Sequence, residues 1–353
     1  MLTKTVAVDL NPATRKVVTG TEAYAREVGS RLEAAAPELH WRFFASRARA
    51  GLGVDMMVAP FPRLWSQVRL PLALIREHAD LLFVPSHVVP FTWPGRALTA
   101  VHDLAFERHP TAYSAPERAY LQLTTRWAAL RCPLLIADSE STKTDLVALY
   151  RVSPERIRVV PLGGGEAVHR PIAPASRLGE LGLSGTYVLQ VGRIETRKNQ
   201  VAALAAVERM DGVTLAVAGP ERDAGIAAQL RASPKACVLG RVDQPTLERL
   251  YKHAAAVVVP SLYEGFGLPV LEAMSRGKVV VAAATSSLPE VGGDAILYAD
   301  PAEPEAFAKA LQSALNDKAL RATLVRAART RSAQFTWDRC AAGIVAVIRE
   351  LIG

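Results

Sequence analysis

Cysteine is scarce in this chain of 353 residues, and no apolar run is long enough to span a bilayer. Cys132, Cys237 and Cys340 are odd in number and far apart, and they lack the spacing of metal ligands. The sequence therefore argues against a disulfide framework and against a cysteine metal site. We expect three reduced, buried thiols, as in a cytosolic protein. A transmembrane helix would need about 20 consecutive apolar residues, which the chain does not offer.

Several sequence signatures of other protein classes are also missing. The first ten residues predict a strand and lack the long apolar core of a signal peptide. Three glycines and three prolines follow Val160, but no Gly-Lys-Ser/Thr follows them, so this stretch is a loop or hinge and not a P-loop. A Gly-x-Gly-x-x-Gly in a strand–helix context is missing, which argues against an NAD-dependent oxidoreductase. No glycosidase-like nucleophile pair is evident either.

The net charge of +8 is spread over both halves of the chain and is not gathered in a tail. A spread excess argues against a nucleic-acid-binding arm, so we expect no nucleic acid partner. It is compatible with an anionic small ligand or with the edge of an anionic membrane.

Short runs rich in Val, Leu, Ile and Ala recur between helical stretches. Near-continuous apolar strands that alternate with helices predict parallel sheets covered on both faces, an α/β fold. Ligands of such sheets bind at the carboxyl ends of the strands. The predicted strands are 6–10, 41–45, 56–59, 81–85, 97–101, 134–137, 157–160, 187–191, 213–218, a short one from residue 237, 256–260 and 279–283.

The most informative stretch lies between the last two of these strands and reads Glu264-Gly-Phe-Gly-Leu-Pro-Val-Leu-Glu272. Pro269 suits the first turn of a helix, and Gly277 suits the position just after its end. Backbone amides in the glycine turn and the helix start can bind an anion. Glu264 and Glu272 frame the turn, and carboxylates can hold sugar or ribose hydroxyls. Alone, such a pair would be two solvated glutamates on a capped helix.

Two cations follow the strand at 187–191. Arg193 and Lys198 are separated by a turn at the strand's carboxyl end. An arginine fork and a lysine point charge together can clamp a diphosphate. A pair of solvated loop residues is the alternative.

Two positions in the amino-terminal half are further candidates. His102 follows the strand at 97–101 in the triplet His-Asp-Leu, although a lone histidine is more often structural than catalytic. Gly20 precedes a helix that Thr19 or Thr21 can cap, so it is either an ordinary turn residue or a phosphate contact.

The Glu264–Glu272 stretch resembles the paired-glutamate signature of the retaining glycosyltransferases of family 4, and Arg193, Lys198 and Asn199 match that family's diphosphate-binding residues. The resemblance implies the GT-B fold: two Rossmann-like domains that face each other across a cleft, with a terminal helix crossing back to the first domain. We expect an acceptor-binding domain at 1–168, a nucleotide-sugar-binding domain at 169–334 and the terminal helix at 335–353.

The resemblance also implies roles for individual residues. Arg193 and Lys198 would bind the diphosphate, Glu272 the ribose and Glu264 the sugar. His102 would meet the sugar from the opposite domain. Further donor contacts are expected from Gly20, Arg241, Val242, Gly265, Phe266, Gly267 and Leu268. Departures from the family pattern are Gly20, where a double glycine is common, and Gly164-Gly-Glu166, where the family carries a β-branched residue and Asp or Asn.

The implied reaction is transfer of a hexose, with retention, from a nucleoside diphosphate sugar. Neither a metal nor another cofactor is expected. GDP-mannose is the favoured donor and a glycan or lipid-linked saccharide the acceptor, in cell-surface polysaccharide or glycoconjugate synthesis. The enzyme would be cytoplasmic or peripheral at the inner face of the membrane. Two alternatives are a nucleotide-sugar epimerase of the same fold and a non-catalytic nucleotide-sugar-binding protein.

The segment 61–76 mixes Arg with Trp and Leu. A basic, aromatic-containing helix can lie on a membrane surface. Pro71 interrupts the segment, which favours a buried helix whose arginine side chains extend to the solvent.

Overall fold

A computed structural model describes residues 4–15, 20–49, 51–58, 65–86, 88–166 and 170–353. The chain divides into two compact units, one of Met1–Gly163 with Thr336–Gly353 and one of Gly164–Phe335. The first boundary thus falls before the predicted residue 168, and the second falls just after the predicted residue 334. Residues 167–169, in the predicted hinge, lie outside the described residues.

The first unit is built on a parallel sheet of seven strands, and every strand predicted in this half is found within a residue or two of its expected ends. The strand order is β3-β2-β1-β4-β5-β6-β7, so the sheet grows in both directions from the β1–β4 pair. The strands are β1 (Thr5–Asp9), β2 (His40–Ala45), β3 (Met56–Val58), β4 (Leu81–Val84), β5 (Arg96–Val101), β6 (Leu135–Ala137) and β7 (Ile157–Val159).

The helices of the first unit connect these strands. They are α1 (Gly20–Gly29), α2 (Leu32–Ala35), α3 (Leu70–Arg76), α4 (Ala105–Arg108), α5 (Ala115–Arg131) and α6 (Glu140–Tyr150). A π-helical turn, Trp65–Arg69, leads into α3. Ser139 caps α6 by accepting a hydrogen bond from the backbone N–H of Thr142.

The second unit has a parallel sheet of six strands in the order β10-β9-β8-β11-β12-β13. This is the Rossmann order, with its reversal between β8 and β11. Only the short strand β13 was not predicted. The strands are β8 (Thr186–Val191), β9 (Val213–Ala218), β10 (Ala236–Gly240), β11 (Ala256–Val259), β12 (Val280–Ala283) and β13 (Leu297–Ala299).

The helices of the second unit cover both faces of its sheet. They are α7 (Ser176–Glu180), α8 (Gln200–Glu208), α9 (Ala224–Ala232), α10 (Gln244–His253), α11 (Leu268–Ser275), α12 (Leu288–Gly292), α13 (Pro304–Asn316) and α14 (Lys318–Ser332). The last helix of the chain, α15 (Trp337–Ile352), belongs to the first unit, where it packs on α1 and α2. The family resemblance implied this return of the chain.

Helix α11 has the ends that its sequence predicted. Pro269 lies in its first turn, where the missing N–H has no intrahelical partner. Gly277 follows the helix with φ of +66°, and the backbone N–H of Lys278 bonds back to the carbonyl of Ala273. A left-handed residue and this hydrogen bond end a helix without leaving carbonyls unpaired.

Burial corrects two expectations. Cys132 and Cys340 are buried free thiols, but Cys237 is only partly buried. In α3, Leu70 and Leu74 are buried while Leu72 and Ile75 are exposed, so the expectation of a buried helix holds for one face only. Residues 61–64 of that segment lie outside the described residues. Within the ranges described, no helix is both long and apolar enough to cross a membrane.

Candidate active site

The site of the second unit lies where its strand order reverses. Strands β8 and β11 are neighbours in the sheet, and their carboxyl ends lead into the two loops that the sequence singled out. One loop carries Arg193 and Lys198, and the other carries Glu264. Because a reversal of strand order opens a crevice at this edge of a sheet, it is the usual ligand position in such folds.

Lys198 and Glu264 form a direct ion pair across these two loops. The ammonium Nζ of Lys198 lies 2.6 Å from Oε1 of Glu264, and the two side chains are 12% and 8% exposed. Ser261 donates a hydrogen bond to the same oxygen at 2.7 Å. Glu264 is further fixed through its backbone, since its N–H donates to Oγ of Ser286 and its carbonyl accepts from Ser287. The carboxylate is therefore held rigidly against the lysine.

Arg197 joins the same network from the β8 loop. Its guanidinium donates to the carbonyl of Tyr263 at 2.9 Å and lies 3.4 Å from Oε2 of Glu264. It also forms an ion pair with Glu195 at 2.8 Å. Two largely buried cations thus face two buried carboxylates, and the loops after β8 and β11 are joined by charge-assisted hydrogen bonds.

The surroundings set the charge states of this pair. Burial would raise the pKa of Glu264, but Lys198 and Arg197 outweigh it and lower that pKa. Burial lowers the pKa of Lys198, with the attraction of Glu264 acting in the opposite direction. Glu264 is therefore a carboxylate at neutral pH and holds the cation beside it.

Arg193, in contrast, has an exposed side chain, and no partner for it is seen among the described residues. Its backbone is firmly placed: its carbonyl accepts from the Gln200 side chain at 2.7 Å, and the next residue, Ile194, donates to the carbonyl of Pro220. An exposed guanidinium on a fixed backbone, in the same loop as Lys198, can meet an anionic ligand bidentately.

The start of α11 supplies backbone donors at the same edge of the sheet. Gly267 precedes the helix with φ of +105°, a conformation that favours glycine. Gly265 and Gly267 are buried, and Leu268 is the first helical residue. Phe266 is buried as well, and its ring packs edge-on against Phe335 at 5.8 Å. Its side chain therefore serves the packing of this unit, which leaves the backbone as its means of contacting a ligand.

Glu272 has partners that differ from those of Glu264. Its carboxylate accepts a hydrogen bond from the hydroxyl of Tyr251 on α10 at 2.9 Å. Arg276 lies over the Tyr251 ring at 4.6 Å and is paired with Glu248. The buried tyrosine thus fixes the direction of Glu272, and the structure shows no hydrogen-bonding residue common to both glutamates among the described residues.

Arg241 and Val242 follow β10, the edge strand of the sheet, two strands from β8. Arg241 is exposed. The backbone N–H of Gly219 bonds to the carbonyl of Gly240 at 2.8 Å, which connects the β9 and β10 loops. These two residues lie at the carboxyl ends of the strands, as predicted, but the structure shows no direct contact between them and the Lys198–Glu264 pair.

His102 belongs to the first unit, where it follows β5. Its Nδ1 lies 2.8 Å from Oδ2 of Asp138, and its Nε2 lies 2.8 Å from the carbonyl oxygen of Pro85. Burial acts to lower the pKa of His102, but the charge and hydrogen bond of Asp138 outweigh it and raise the pKa. The imidazolium form satisfies this arrangement, because both nitrogens then donate. Neither nitrogen is left to accept a proton.

Gly20, the other candidate in the first unit, is exposed and is the first residue of α1. Thr21 lies inside the helix and so does not cap it. Thr19, the other predicted cap, falls outside the described residues.

Several residues of these networks were not singled out in the sequence. Arg197 was passed over although it directly precedes Lys198, and Tyr251 gave no signal because its pairing with Glu272 depends on tertiary packing. Asp138 could have been found: β5 and β6 are parallel neighbours with Val101 opposite Ala137, so the residues that follow them must meet. The missed residues are Glu195, Arg197, Asp138, Tyr251, Ser261, Ser286 and Ser287.

Comparison with known families identifies the family of this chain. The family model described as "Glycosyltransferase Family 4" matches residues 18–163, and the model described as "Glycosyl transferases group 1" matches residues 180–331, which include both site loops. The chain belongs to glycosyltransferase family 4. The two matches together account for most of its length, and the ion pair of Lys198 with Glu264 lies within the second.

Two relatives illustrate the range of this family. The chain is 29% identical to O-antigen chain mannosyltransferase B of Escherichia coli over 282 residues, which cover 75% of this chain and 73% of that protein. It is 33% identical to D-inositol 3-phosphate glycosyltransferase of Acidothermus cellulolyticus over 239 residues, or 62% of this chain and 53% of that protein. The match thus spans about half the length of the latter.

The fold is shared with solved structures. A crystal structure of HepE of Anabaena, in complex with UDP and glucose, superimposes with a TM-score of 0.76 at 18% identity and covers 99% of this chain and 100% of that one. The protein therefore has the GT-B fold, built from the two Rossmann-type units described above.

Proposed function

We propose that this glycosyltransferase moves a hexose from a nucleoside diphosphate sugar to a saccharide or lipid-linked acceptor. The observation that carries the proposal is the cluster of Lys198, Arg197 and Glu264 at the strand reversal of the second unit, with the exposed Arg193 on the same loop as Lys198. Mannose is the favoured sugar, because the relative from E. coli is named a mannosyltransferase. GDP-mannose is accordingly the favoured donor.

The chemistry of the cluster fits a departing diphosphate. Breaking the anomeric C–O bond places negative charge on the phosphate oxygens of the leaving group. Arg193, Lys198 and the amides at the start of α11 would stabilise that charge without rearrangement, since the loops that carry them are already fixed. Glu272, oriented by Tyr251, would hold the ribose hydroxyls, and Glu264 would border the sugar. Arg193, Lys198 and the amides at the start of α11 would supply the positive charge that stabilises the departing diphosphate. We therefore infer that leaving-group departure needs no metal.

Stereochemistry and cellular role are further parts of the proposal. We infer retention at the anomeric carbon, with the diphosphate accepting the acceptor's proton. The acceptor would be a growing glycan of the cell surface, processed on the cytoplasmic side. Two-dimensional NMR of the product formed from an α-linked donor tests retention directly: an α-glycoside supports it, and a β-glycoside contradicts it.

A thermal-shift screen with GDP, UDP, ADP and dTDP tests the donor site. A ligand that binds the folded protein raises its melting temperature, so at least one nucleotide should do so, and GDP most. The Glu272→Ala variant should lose most of that shift. An unchanged shift in Glu272→Ala would contradict the ribose assignment, and no shift with any nucleotide would contradict the proposed function.

Two alternative functions would give results that differ from those expected of a glycosyltransferase. An epimerase of this fold would convert the donor to a second sugar without an acceptor, which NMR of the donor incubated alone would reveal. A non-catalytic sensor would bind a nucleotide tightly and turn over no donor with any acceptor. The inward-facing, charged Lys198–Glu264 pair favours an enzyme over a sensor.

A further inference from the structure

Two buried glutamines lie on either side of the loop 192–199, which carries Arg193 and Lys198. Gln190 is the last residue but one of β8 and is 3% exposed, and Gln200 is the first residue of α8 and is fully buried. Strand β8 lies inside a parallel sheet, where apolar residues are usual. Glutamine is mostly exposed in folded proteins, because burial of its amide costs stability unless its polar atoms are hydrogen-bonded.

The two side-chain amides form hydrogen bonds across the loop. Nε2 of Gln190, before the loop, donates to the backbone carbonyl of Lys198 at 2.8 Å. Nε2 of Gln200, after the loop, donates to the backbone carbonyl of Arg193 at 2.7 Å. Each glutamine thus bonds to the cationic residue at the far end of the loop. The carbonyl partners also fix which way each amide faces, since a carbonyl oxygen can only accept.

The carbonyls between these two positions are bonded differently. Backbone N–H groups donate to the carbonyls of Ile194, Glu195, Thr196 and Arg197. Buried carbonyls need a donor, and the chain's own N–H groups meet that need along the middle of the loop. The need alone does not explain why glutamine amides bond at the two cationic residues.

Within the part of the chain that the structure describes, the oxygen atoms of both amides lack hydrogen-bond partners. Oε1 of Gln190 and Oε1 of Gln200 are each buried and unbonded. A buried acceptor without a partner destabilises the folded state. A methionine has a similar length and would fill either position without that acceptor. A polar side chain that costs stability beside a ligand site is typical of a residue with a functional role.

The peptide group after Arg193 is held through both of its polar atoms. Its carbonyl accepts from Gln200, and its N–H, which belongs to Ile194, donates to the carbonyl of Pro220 at 3.0 Å. Because a peptide group is planar, two hydrogen bonds on opposite sides prevent its rotation. The backbone angle ψ of Arg193 is thereby fixed, and with it the direction in which the side chain leaves the loop.

The peptide group after Lys198 is held in the same way. Its carbonyl accepts from Gln190, and its N–H, which belongs to Asn199, donates to the carbonyl of Thr196 at 3.1 Å. The ammonium of Lys198 is bonded to Glu264 as well, so both ends of this residue are fixed. The two cations of the loop therefore share one device: a buried glutamine that holds the backbone from behind.

We propose that Gln190 and Gln200 are positioning residues that hold Lys198 and Arg193 in the directions needed to clamp the two phosphate groups of the donor nucleotide. The assignment rests on the proposed function, since it takes a diphosphate as the ligand of these cations. Both glutamine side chains are buried, so each acts through the backbone of a cation. The second phosphate needs both cations correctly directed, whereas a nucleoside monophosphate does not.

Calorimetric titration with GDP and GMP tests the proposal on the full-length protein. Gln190→Met and Gln200→Met each remove the amide donor with little change in side-chain size. Each variant should bind GDP about tenfold more weakly than the wild type, because a misdirected cation loses a charge-assisted hydrogen bond to phosphate. Each should bind GMP within about twofold of the wild type. The double variant should bind GDP hardly more tightly than GMP.

Melting temperatures without nucleotide separate positioning from folding. They should stay within about 4 °C of the wild type, because each substitution also removes an unbonded buried oxygen. Gln122→Met is the matched control. Gln122 lies on α5 of the first unit, is half-buried and donates from Nε2 to Glu107 at 2.9 Å. This variant should bind both nucleotides like the wild type.

Four results would count against positioning by the glutamines. Wild-type affinity for GDP in both single variants would overturn this inference alone and leave the proposed function intact. Loss of GDP and GMP affinity by the same factor would show that the glutamines only support the fold, and it would overturn the inference too. So would a wild-type protein that binds GMP as tightly as GDP. A wild-type protein that binds neither GDP nor any other nucleotide would contradict the proposed function itself, and this inference with it.

Discussion

At the scale of single residues, Lys198 carries the largest share of the proposed chemistry. Its ammonium is buried, paired with Glu264 and fixed on the loop after β8. Replacing Lys198 by Ala should lower the rate of the chemical step by about 10²-fold or more, as the loss of one preorganised charge partner does. Single-turnover kinetics measures this step. Lys252→Ala, an exposed lysine of the same unit, should leave it unchanged, and an unaltered rate in Lys198→Ala would remove Lys198 from the site.

Asp9 is a buried acid at the end of β1 whose ionisation opposes folding. Burial raises its pKa from 3.8 to about 6, although the N–H groups of Asn11 and Trp65 bond to its Oδ1. At a pH between these two pKa values, the carboxyl of Asp9 is already ionised in the unfolded chain but still protonated in the folded protein. The stability contributed by protonated Asp9 is therefore fully present below about pH 4 and is lost as the pH rises through about 6.

Asp9→Asn should accordingly stabilise the protein at neutral pH. The difference from the wild type should be small near about pH 4 and grow to about 3 kcal/mol near about pH 8. Melting temperatures across this range measure it. Asp80→Asn should behave oppositely, because a hydrogen bond from the Thr5 N–H lowers the pKa of Asp80. A difference in melting temperature between Asp9→Asn and the wild type that does not change with pH would show that Asp9 does not have this raised pKa.

Residue identities were easier to predict from the sequence than residue partnerships. Arg193, Lys198 and Glu264 were found because glycine turns and strand ends identify them along the chain. The pairing of Lys198 with Glu264 was not found, since it depends on β8 and β11 being neighbours in the sheet. The same holds for His102, whose two nitrogens are engaged by Asp138 and by the carbonyl of Pro85.

At the scale of elements, the loops after β8 and β9 are held together by a close backbone approach at Gly219. A β-carbon there would lie 1.9 Å from the carbonyl oxygen of Gly192, the residue before Arg193. Gly219→Ala should therefore displace the Arg193 loop, destabilise the second unit by about 1–3 kcal/mol and weaken nucleotide binding. Thermal melts and calorimetric titration with GDP measure the two effects.

Gly179→Ala is the control for this prediction. Gly179 lies in α7, and a β-carbon there would meet nothing within 4 Å. Alanine is the better helix former by about 1 kcal/mol, so this variant should be at least as stable as the wild type. Wild-type affinity for GDP in Gly219→Ala would show that the close approach does not position the Arg193 loop.

Element boundaries were well predicted wherever apolar runs and turn residues agreed. The strand at 213–218 has the predicted ends, and α11 lies between Gly267 and Gly277, as its sequence indicates. Strand β13 was missed because its three residues, Leu297–Ala299, are too few to show a pattern. For α3 the sequence favoured a buried helix because of Pro71, and only the packing shows that Leu72 and Ile75 lie on an uncovered side.

At the scale of the whole molecule, the chain consists of two units of similar design, each with its strand order reversing beside the first strand. The sequence predicted parallel sheets covered by helices, and the family resemblance implied two such domains and the return of the last helix to the first. The predicted boundary between the two domains, residue 168, lies later in the chain than the end of the first unit at Gly163. The three glycines after Leu162 indicate one continuous linker, and nothing in the sequence shows that the unit already ends at the first of them.

The proposed function depends above all on the binding of a sugar nucleotide at the strand reversal of the second unit. Hydrogen exchange with mass spectrometry, with and without saturating GDP, locates that binding on the intact protein. With GDP bound, exchange should be slower in peptides covering residues 192–199 and 261–272, whose amides and side chains form the cluster around Lys198. Nucleotide binding confirmed by calorimetry, with protection only elsewhere in the chain, would contradict it.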